Sequence, residues 1–180
     1  GRHDISVYHH ASQLPGDNEN KGIPIVILLH GVYGSHWVWM DLGGVHLVYE
    51  QLRQQGLSEF ILVMPSDGGL WDGSAYLPLI TTSEQLEDNF NLGNFNLHNY
   101  EQWIVDDVIQ ATISSIDGAS EHSHVYLSGL SMGGYGALRL GAKFPEKFSG
   151  ISAHSSVTSL NDLQQFIDNP ISDYHCANAH

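Results

Sequence analysis

An α/β domain with a mostly parallel sheet, covered by helices on both faces, is the fold class this sequence predicts. Three features carry the expectation. Strand-like and helix-like segments alternate along the chain, and the strand-like segments are continuous apolar runs. One of them leads into Gly-Leu-Ser-Met-Gly and then a segment of helical character. Continuous apolar strands belong to sheets buried on both faces, and helical connections are what bring such strands into parallel register.

The elements follow in chain order. ISVYHH (5–10) is expected as an antiparallel edge strand, and IVILLH (25–30) as the first strand buried on both faces. GVHLVYEQLRQQG (44–56) reads as a helix, with Val45, Val48 and Leu52 at helical spacing and Gly56 suited to the C-terminal cap. FILVMP (60–65) is a second buried strand, stopped by Pro65. Residues 66–98 break the rhythm with a long acidic stretch rich in aromatics, Gly and Asn, leaving the C-terminal end of a strand, where open α/β sheets bind ligands. NYEQWIVDDVIQATISSIDG (99–118) carries one apolar face through Val105, Val108, Ile109, Thr112, Ile113 and Ile116. Asn99 and Gln102 resemble a capping box at its start. HVYLSG (124–129) is the third buried strand, GGYGALRLGAKFP a helix ended before Pro145, and FSGISAH (148–154) a fourth strand.

With 180 residues the chain is expected to form one domain, 1–180. Hydrophobic residues make up 42% and charged residues 14%, a globular balance. The net charge of -14, with Lys and Arg totalling 6, argues against nucleic acid or an anionic membrane as partner, since phosphate contacts need a basic surface. No apolar run approaches the ~20 residues of a membrane span. The single cysteine, Cys176, cannot form an internal disulfide and points toward a reducing, cytoplasmic setting.

Gly129-Leu130-Ser131-Met132-Gly133 matches the G-x-S-x-G nucleophile elbow. The chain turns sharply from strand to helix and holds the serine in a strained conformation with its hydroxyl exposed. Side chains two residues to either side would collide, so both positions are glycine. The following helix turns its N-terminus toward the serine, and the Met132 N–H is placed to hold an oxyanion. A second N–H is expected from the loop after an earlier strand. In LLHGVYGSHWVW (28–39), Gly31 and Gly34 allow close backbone approach, and Val32 is the best candidate donor. Tyr33, Trp37 and Trp39 stand either as walls of a substrate pocket or as core. Trp71 and Tyr76 in the long loop are expected to meet substrate.

LLHGVYGSHWVW, FILVMPSDGG, NYEQWIVDDVI and LSGLSMGGYGALRLGAKFPEKFSGISAHSS together resemble the esterase-D-like group of α/β-hydrolases, over roughly residues 20–160. That group includes S-formylglutathione hydrolases, tributyrin and feruloyl esterases and mycolyltransferases. The resemblance implies an α/β-hydrolase fold and a Ser-His-Asp serine esterase acting on small acyl esters or thioesters. Ser131 would be the nucleophile, with Val32 and Met132 giving the oxyanion N–H groups. An acyltransferase of the same group, or a non-catalytic binding module that has lost its triad, are the alternatives.

One departure stands out. The triad in this fold runs Ser, then acid, then His along the chain. Asp162, Asp168 and Asp173 are available as acids and His154, His175 and His180 as bases, yet none sits where the fold would supply it. The expectation is therefore that the chain lacks the C-terminal strands of the fold, with acid and base beyond residue 180. No metal site is expected: the His9-His10 and His122-x-His124 pairs lack a third ligand at recognisable spacing. No G-x-G-x-x-G or Walker-type loop is present, so no cofactor is expected. Oligomeric state is not legible.

Overall fold

In the computed structural model, residues 3–10, 22–68, 72–79 and 98–168 are described. Five strands form the main sheet: β1 (Ile5–Tyr8), β2 (Ile25–Leu29), β3 (Ile61–Pro65), β6 (Val125–Leu130) and β7 (Gly150–His154). A two-residue ladder joins β4 (Pro78–Leu79) to β5 (His98–Asn99). The order is β1-β3-β2-β6-β7. Within this sheet β1 runs antiparallel to β3 and every other pair is parallel, while β4 and β5 pair antiparallel.

The apolar runs of β2 and β3 are continuous because successive side chains enter two different cores. Ile25, Ile27 and Leu29 of β2, with Ile61 and Val63 of β3, belong to the larger one. Leu28 of β2, with Leu62 and Met64 of β3, belongs to the smaller. The helix Val45–Gln54 covers the smaller core through Tyr49, whose hydroxyl donates to the Phe60 carbonyl at 2.8 Å. The helices Val108–Ser115 and Met132–Lys143 cover the larger one through Val108, Ile109, Ala137 and Leu140. Helices thus lie on both faces, as expected.

Three details differ from expectation. Val48 and Leu52 are exposed, and Tyr49 is the buried anchor of its helix. Spacing alone could not choose between the Val45–Val48–Leu52 row and the Val45–Tyr49 row beside it; the larger aromatic side chain occupies the core. Second, the helix after Asn99 is not regular. It opens with Tyr100–Gln102, widens to a π-turn at Trp103–Asp107, and resumes at Val108. The Asn99 carboxamide oxygen caps the Gln102 N–H at 3.0 Å, but Gln102 answers the Asn99 side chain rather than its backbone. The widened turn lets Ile104, Val105 and Val108 all reach the core. Third, the covering thins toward β7: Tyr126, Leu130 and Ile151 are exposed, so burial on both faces holds for β2 and β3 but not for the β6–β7 rim.

Candidate active site

Ser131 stands between β6 and the helix Met132–Lys143 with φ 56° and ψ -115°, a conformation that a non-glycine residue adopts only when its surroundings force it. Two backbone bonds fix it: its N–H donates to the His154 carbonyl of β7 at 2.9 Å, and its carbonyl accepts from Tyr135 N–H at 3.0 Å. The flanking glycines are required sterically. A Cβ on Gly129 would overlap the Gly133 carbonyl, and a Cβ on Gly133 would overlap the backbone carbonyls of Leu29 and His30.

The loop after β2 comes up against this turn. A Cβ built on Gly31 would lie 3.4 Å from Ser131 Cβ and 4.0 Å from Ser131 Oγ, so the glycine faces the serine at about van der Waals distance. Gly31 to Gly34 form a tight turn, with Gly34 N–H donating to the Gly31 carbonyl at 3.3 Å and Tyr33 at φ 59°. Neither the Val32 N–H nor the Met132 N–H has a hydrogen-bond partner among the described residues. Chemically, a strained serine with free N–H groups in the two adjoining turns suits an electron-rich oxygen bound to a carbon that the serine attacks.

A buried polar network supports the Gly31 turn from behind. His30 is 1% exposed and Asp67 2%. His30 Nδ1 lies 2.7 Å from the Gly31 carbonyl oxygen, and His30 Nε2 accepts from Asp67 N–H at 3.1 Å. Asp67 Oδ1 is 3.6 Å from the same Nε2, and Asp67 Oδ2 accepts from Ser74 N–H at 2.6 Å. Burial lowers the His30 pKa, against the opposing pull of Asp67. Tyr76 closes the network, its hydroxyl donating to the His30 carbonyl at 3.0 Å. Burial, then the nearby Asp67 charge, push that phenol well above its usual range, so it remains a donor.

Tyr76 therefore differs from expectation: it is fully buried, and its ring packs against Gly136 and edge-on to His30 rather than lining a pocket. A tyrosine in an aromatic-rich loop looks like a ligand wall until the core beneath that loop is seen. Tyr33 is 63% exposed, with its N–H on the Asp72 carbonyl and its hydroxyl on the Phe166 carbonyl at 3.0 Å. Trp39 packs on the smaller core, while Trp37 stays partly exposed. Trp71 lies outside the described residues, as do Asp173, His175, Cys176 and His180.

Of the other acid and base candidates, His154 and Asp162 have side-chain partners away from Ser131. His154 sits beside Ser131 in sequence-distant backbone contact, but its Nε2 is 3.0 Å from Ser152 Oγ. Asp162 binds Ser159, the N-cap of the short helix Leu160–Leu163, at 2.8 Å. Asp168 donates its N–H to Asp72 Oδ2 at 2.6 Å. Among the described residues no imidazole hydrogen-bonds the Ser131 hydroxyl, and no group of three or more His, Cys, Asp or Glu is arranged to hold a metal ion. No described helix is long and apolar enough to cross a membrane. Sequence reading missed His30 and Asp67. The available signal was a polar residue just past the end of each of two neighbouring buried strands.

The sheet, its helices on both faces and the strand-serine-helix turn define an α/β-hydrolase type of domain. Residues 6–176 match the family described as "Putative esterase", and the chain belongs to that esterase family. A curated acetyl esterase of Caldicellulosiruptor saccharolyticus is 28% identical over 147 residues, covering 82% of this chain and 46% of that protein. A ferulic acid esterase structure superposes with TM-score 0.60 at 23% identity, over 88% of this chain and 59% of the other. An S-formylglutathione hydrolase of Staphylococcus aureus superposes with TM-score 0.62 at 17% identity, over 96% and 64%. The chain thus spans about half the length of the curated relative and less than two thirds of these two structures.

Proposed function

We propose that the protein is a serine carboxylesterase that forms an acyl-enzyme on small acyl esters or thioesters. The observation that carries the reading is the strained Ser131 backbone at a strand-to-helix turn facing Gly31. Family membership and the similarity to an acetyl esterase support it.

Ser131 Oγ attacks the ester carbonyl carbon as a histidine base takes its proton. The carbonyl oxygen becomes an oxyanion held by the Val32 and Met132 N–H groups. The tetrahedral intermediate collapses, the C–O (or C–S) bond breaks, and the leaving group departs with the proton. Water then adds to the acyl-serine by the same steps in reverse roles, freeing the carboxylic acid. Tyr33, exposed beside the Gly31 turn, and Trp71 contact the substrate. The site needs no metal or cofactor for this chemistry.

The test uses the full-length protein with a fluorophosphonate probe and p-nitrophenyl acetate. Ser131→Ala abolishes labelling and lowers kcat by several orders of magnitude, about 10⁶ by analogy with serine proteases. Full activity in the alanine variant refutes the reading. Labelling without hydrolysis, with acyl groups passed to an added alcohol, would instead make the protein an acyltransferase.

A further inference from the structure

We propose that His30 is a positioning residue: its imidazole pins the Gly31 carbonyl and thereby aims the Val32 N–H of the same peptide at the space before Ser131. The proposal rests on Ser131 being the nucleophile, as read above.

His30 has two backbone partners of fixed polarity. Asp67 offers an N–H, which can only donate, 3.1 Å from Nε2; Gly31 offers a carbonyl, which can only accept, 2.7 Å from Nδ1. The ring is therefore neutral, with its proton on Nδ1 and its lone pair on Nε2. A trans peptide is planar, and its C=O and N–H point in opposite directions. Fixing the Gly31 oxygen toward His30 therefore fixes the Val32 N–H on the opposite side. That N–H has no partner among the described residues, while Gly31 itself faces Ser131. Tyr76 pins the preceding peptide through the His30 carbonyl at 3.0 Å, so two consecutive peptide planes are held. A donor held in place before substrate arrives need not reorganise during reaction, the condition under which such donors act most strongly. His30 never touches substrate; it acts through the peptide it holds.

The two anchors can be separated. An asparagine amide nitrogen can reach the Nδ1 position and still donate to the Gly31 carbonyl, leaving Asp67 N–H without its acceptor. A glutamine oxygen can reach the Nε2 position and still accept from Asp67, leaving the Gly31 carbonyl only its longer bond from the Gly34 N–H at 3.3 Å. Both variants lose one buried bond, so a merely structural histidine predicts equal damage.

The experiment measures kcat and KM for p-nitrophenyl acetate, and Tm, in the full-length protein carrying His30→Asn or His30→Gln. The expected result is a kcat lowered about 10- to 100-fold in His30→Gln with KM changed less than about threefold, and a kcat within about threefold of wild type in His30→Asn, at similar Tm. Equal kcat losses, or losses that follow Tm, overturn the proposal. Nitrogen-15 NMR of the wild type is expected to place the His30 proton on Nδ1; a proton on Nε2 overturns it as well. Should Ser131→Ala prove fully active, the esterase reading falls, and the substrate-free measurements still decide His30: the Val32 amide shift moves more in His30→Gln than in His30→Asn, or the proposal fails.

Discussion

Gly31→Val is the sharpest perturbation of the turn that faces Ser131. A Cβ at this position makes ordinary van der Waals contact, 3.4 Å from Ser131 Cβ and 3.5 Å from the Leu130 carbonyl oxygen, so one carbon fits. Valine adds two methyl groups about 1.5 Å further out. With the Cβ already 4.0 Å from Ser131 Oγ, a methyl enters the space where a substrate carbonyl must approach that oxygen to about 3–3.5 Å. The carbonyl oxygen then misses the Val32 N–H. Loss of one such donor costs about 3–4 kcal/mol of transition-state stabilisation, or about 10²–10³ in kcat. Gly133→Ala is the control of opposite character: its Cβ overlaps the carbonyls of Leu29 and His30, which are backbone and cannot rotate away. Overpacking of that kind costs about 1–3 kcal/mol or more, which at this chain length lowers Tm by about 2–4 °C per kcal/mol. Steady-state hydrolysis of p-nitrophenyl acetate and thermal unfolding are measured on both variants. The expected outcome is a kcat defect with nearly native Tm for Gly31→Val, and a Tm defect for Gly133→Ala. A Gly31→Val protein with wild-type kcat, or one whose Tm falls as far as that of Gly133→Ala, refutes the reasoning.

Two further outcomes are expected. Tyr76→Phe removes the hydroxyl that donates to the His30 carbonyl in a fully buried site, so stability falls by about 1–3 kcal/mol in urea titration; an unchanged midpoint would mean that the bond contributes nothing. Stability also depends on pH through His30. Burial lowers its pKa in the fold, Asp67 at 3.6 Å partly opposing and His36 adding a small push in the same direction as burial. The unfolded chain takes up a proton near the ordinary value of 6.5 while the folded one resists it. The contribution is therefore full above pH 6.5 and is lost as pH falls from there toward the lowered folded value. The difference in unfolding free energy between wild type and His30→Asn, measured from about pH 7.5 to 5, should shrink as pH falls; a constant difference would show that His30 does not titrate in this way.

The sheet was legible because its physics is local. A strand buried on both faces must be apolar at every position, and the runs 25–29 and 61–65 are; the structure sends alternate residues to two cores as that rule requires. The elbow was legible for the same kind of reason. The collisions that exclude side chains at Gly129 and Gly133 come from atoms only a turn away or on the neighbouring strand. The choice between Val48 and Tyr49 as the buried residue was not, because both lie on helical spacing and only the shape of the sheet beneath decides. Nor was the π-turn at Trp103–Asp107, which adds a residue to the helix without any glycine or proline to announce it.

What the sequence hid at the candidate site is the layer behind it, and the reason is chain distance. The expectation that Tyr76 meets substrate fails because loop composition describes which residues a loop contains, not which of them turn inward. In the structure the residues after β3 fold back under the turn after β2, so the Tyr76 hydroxyl meets the His30 carbonyl and Asp67 N–H meets the His30 ring. Each contact joins segments 37 or 46 positions apart, beyond the reach of any periodic pattern. The adjacency of β2 and β3 makes them possible, since parallel neighbours bring their C-terminal ends to the same edge of the sheet. Once two buried strands are placed side by side, a histidine after one and an aspartate after the other become neighbours by topology. Because the strand order fixes those two residues at one edge of the sheet, the support of the Gly31 turn follows from topology, whereas the inward turn of Tyr76 depends on how the segment after β3 settles on them.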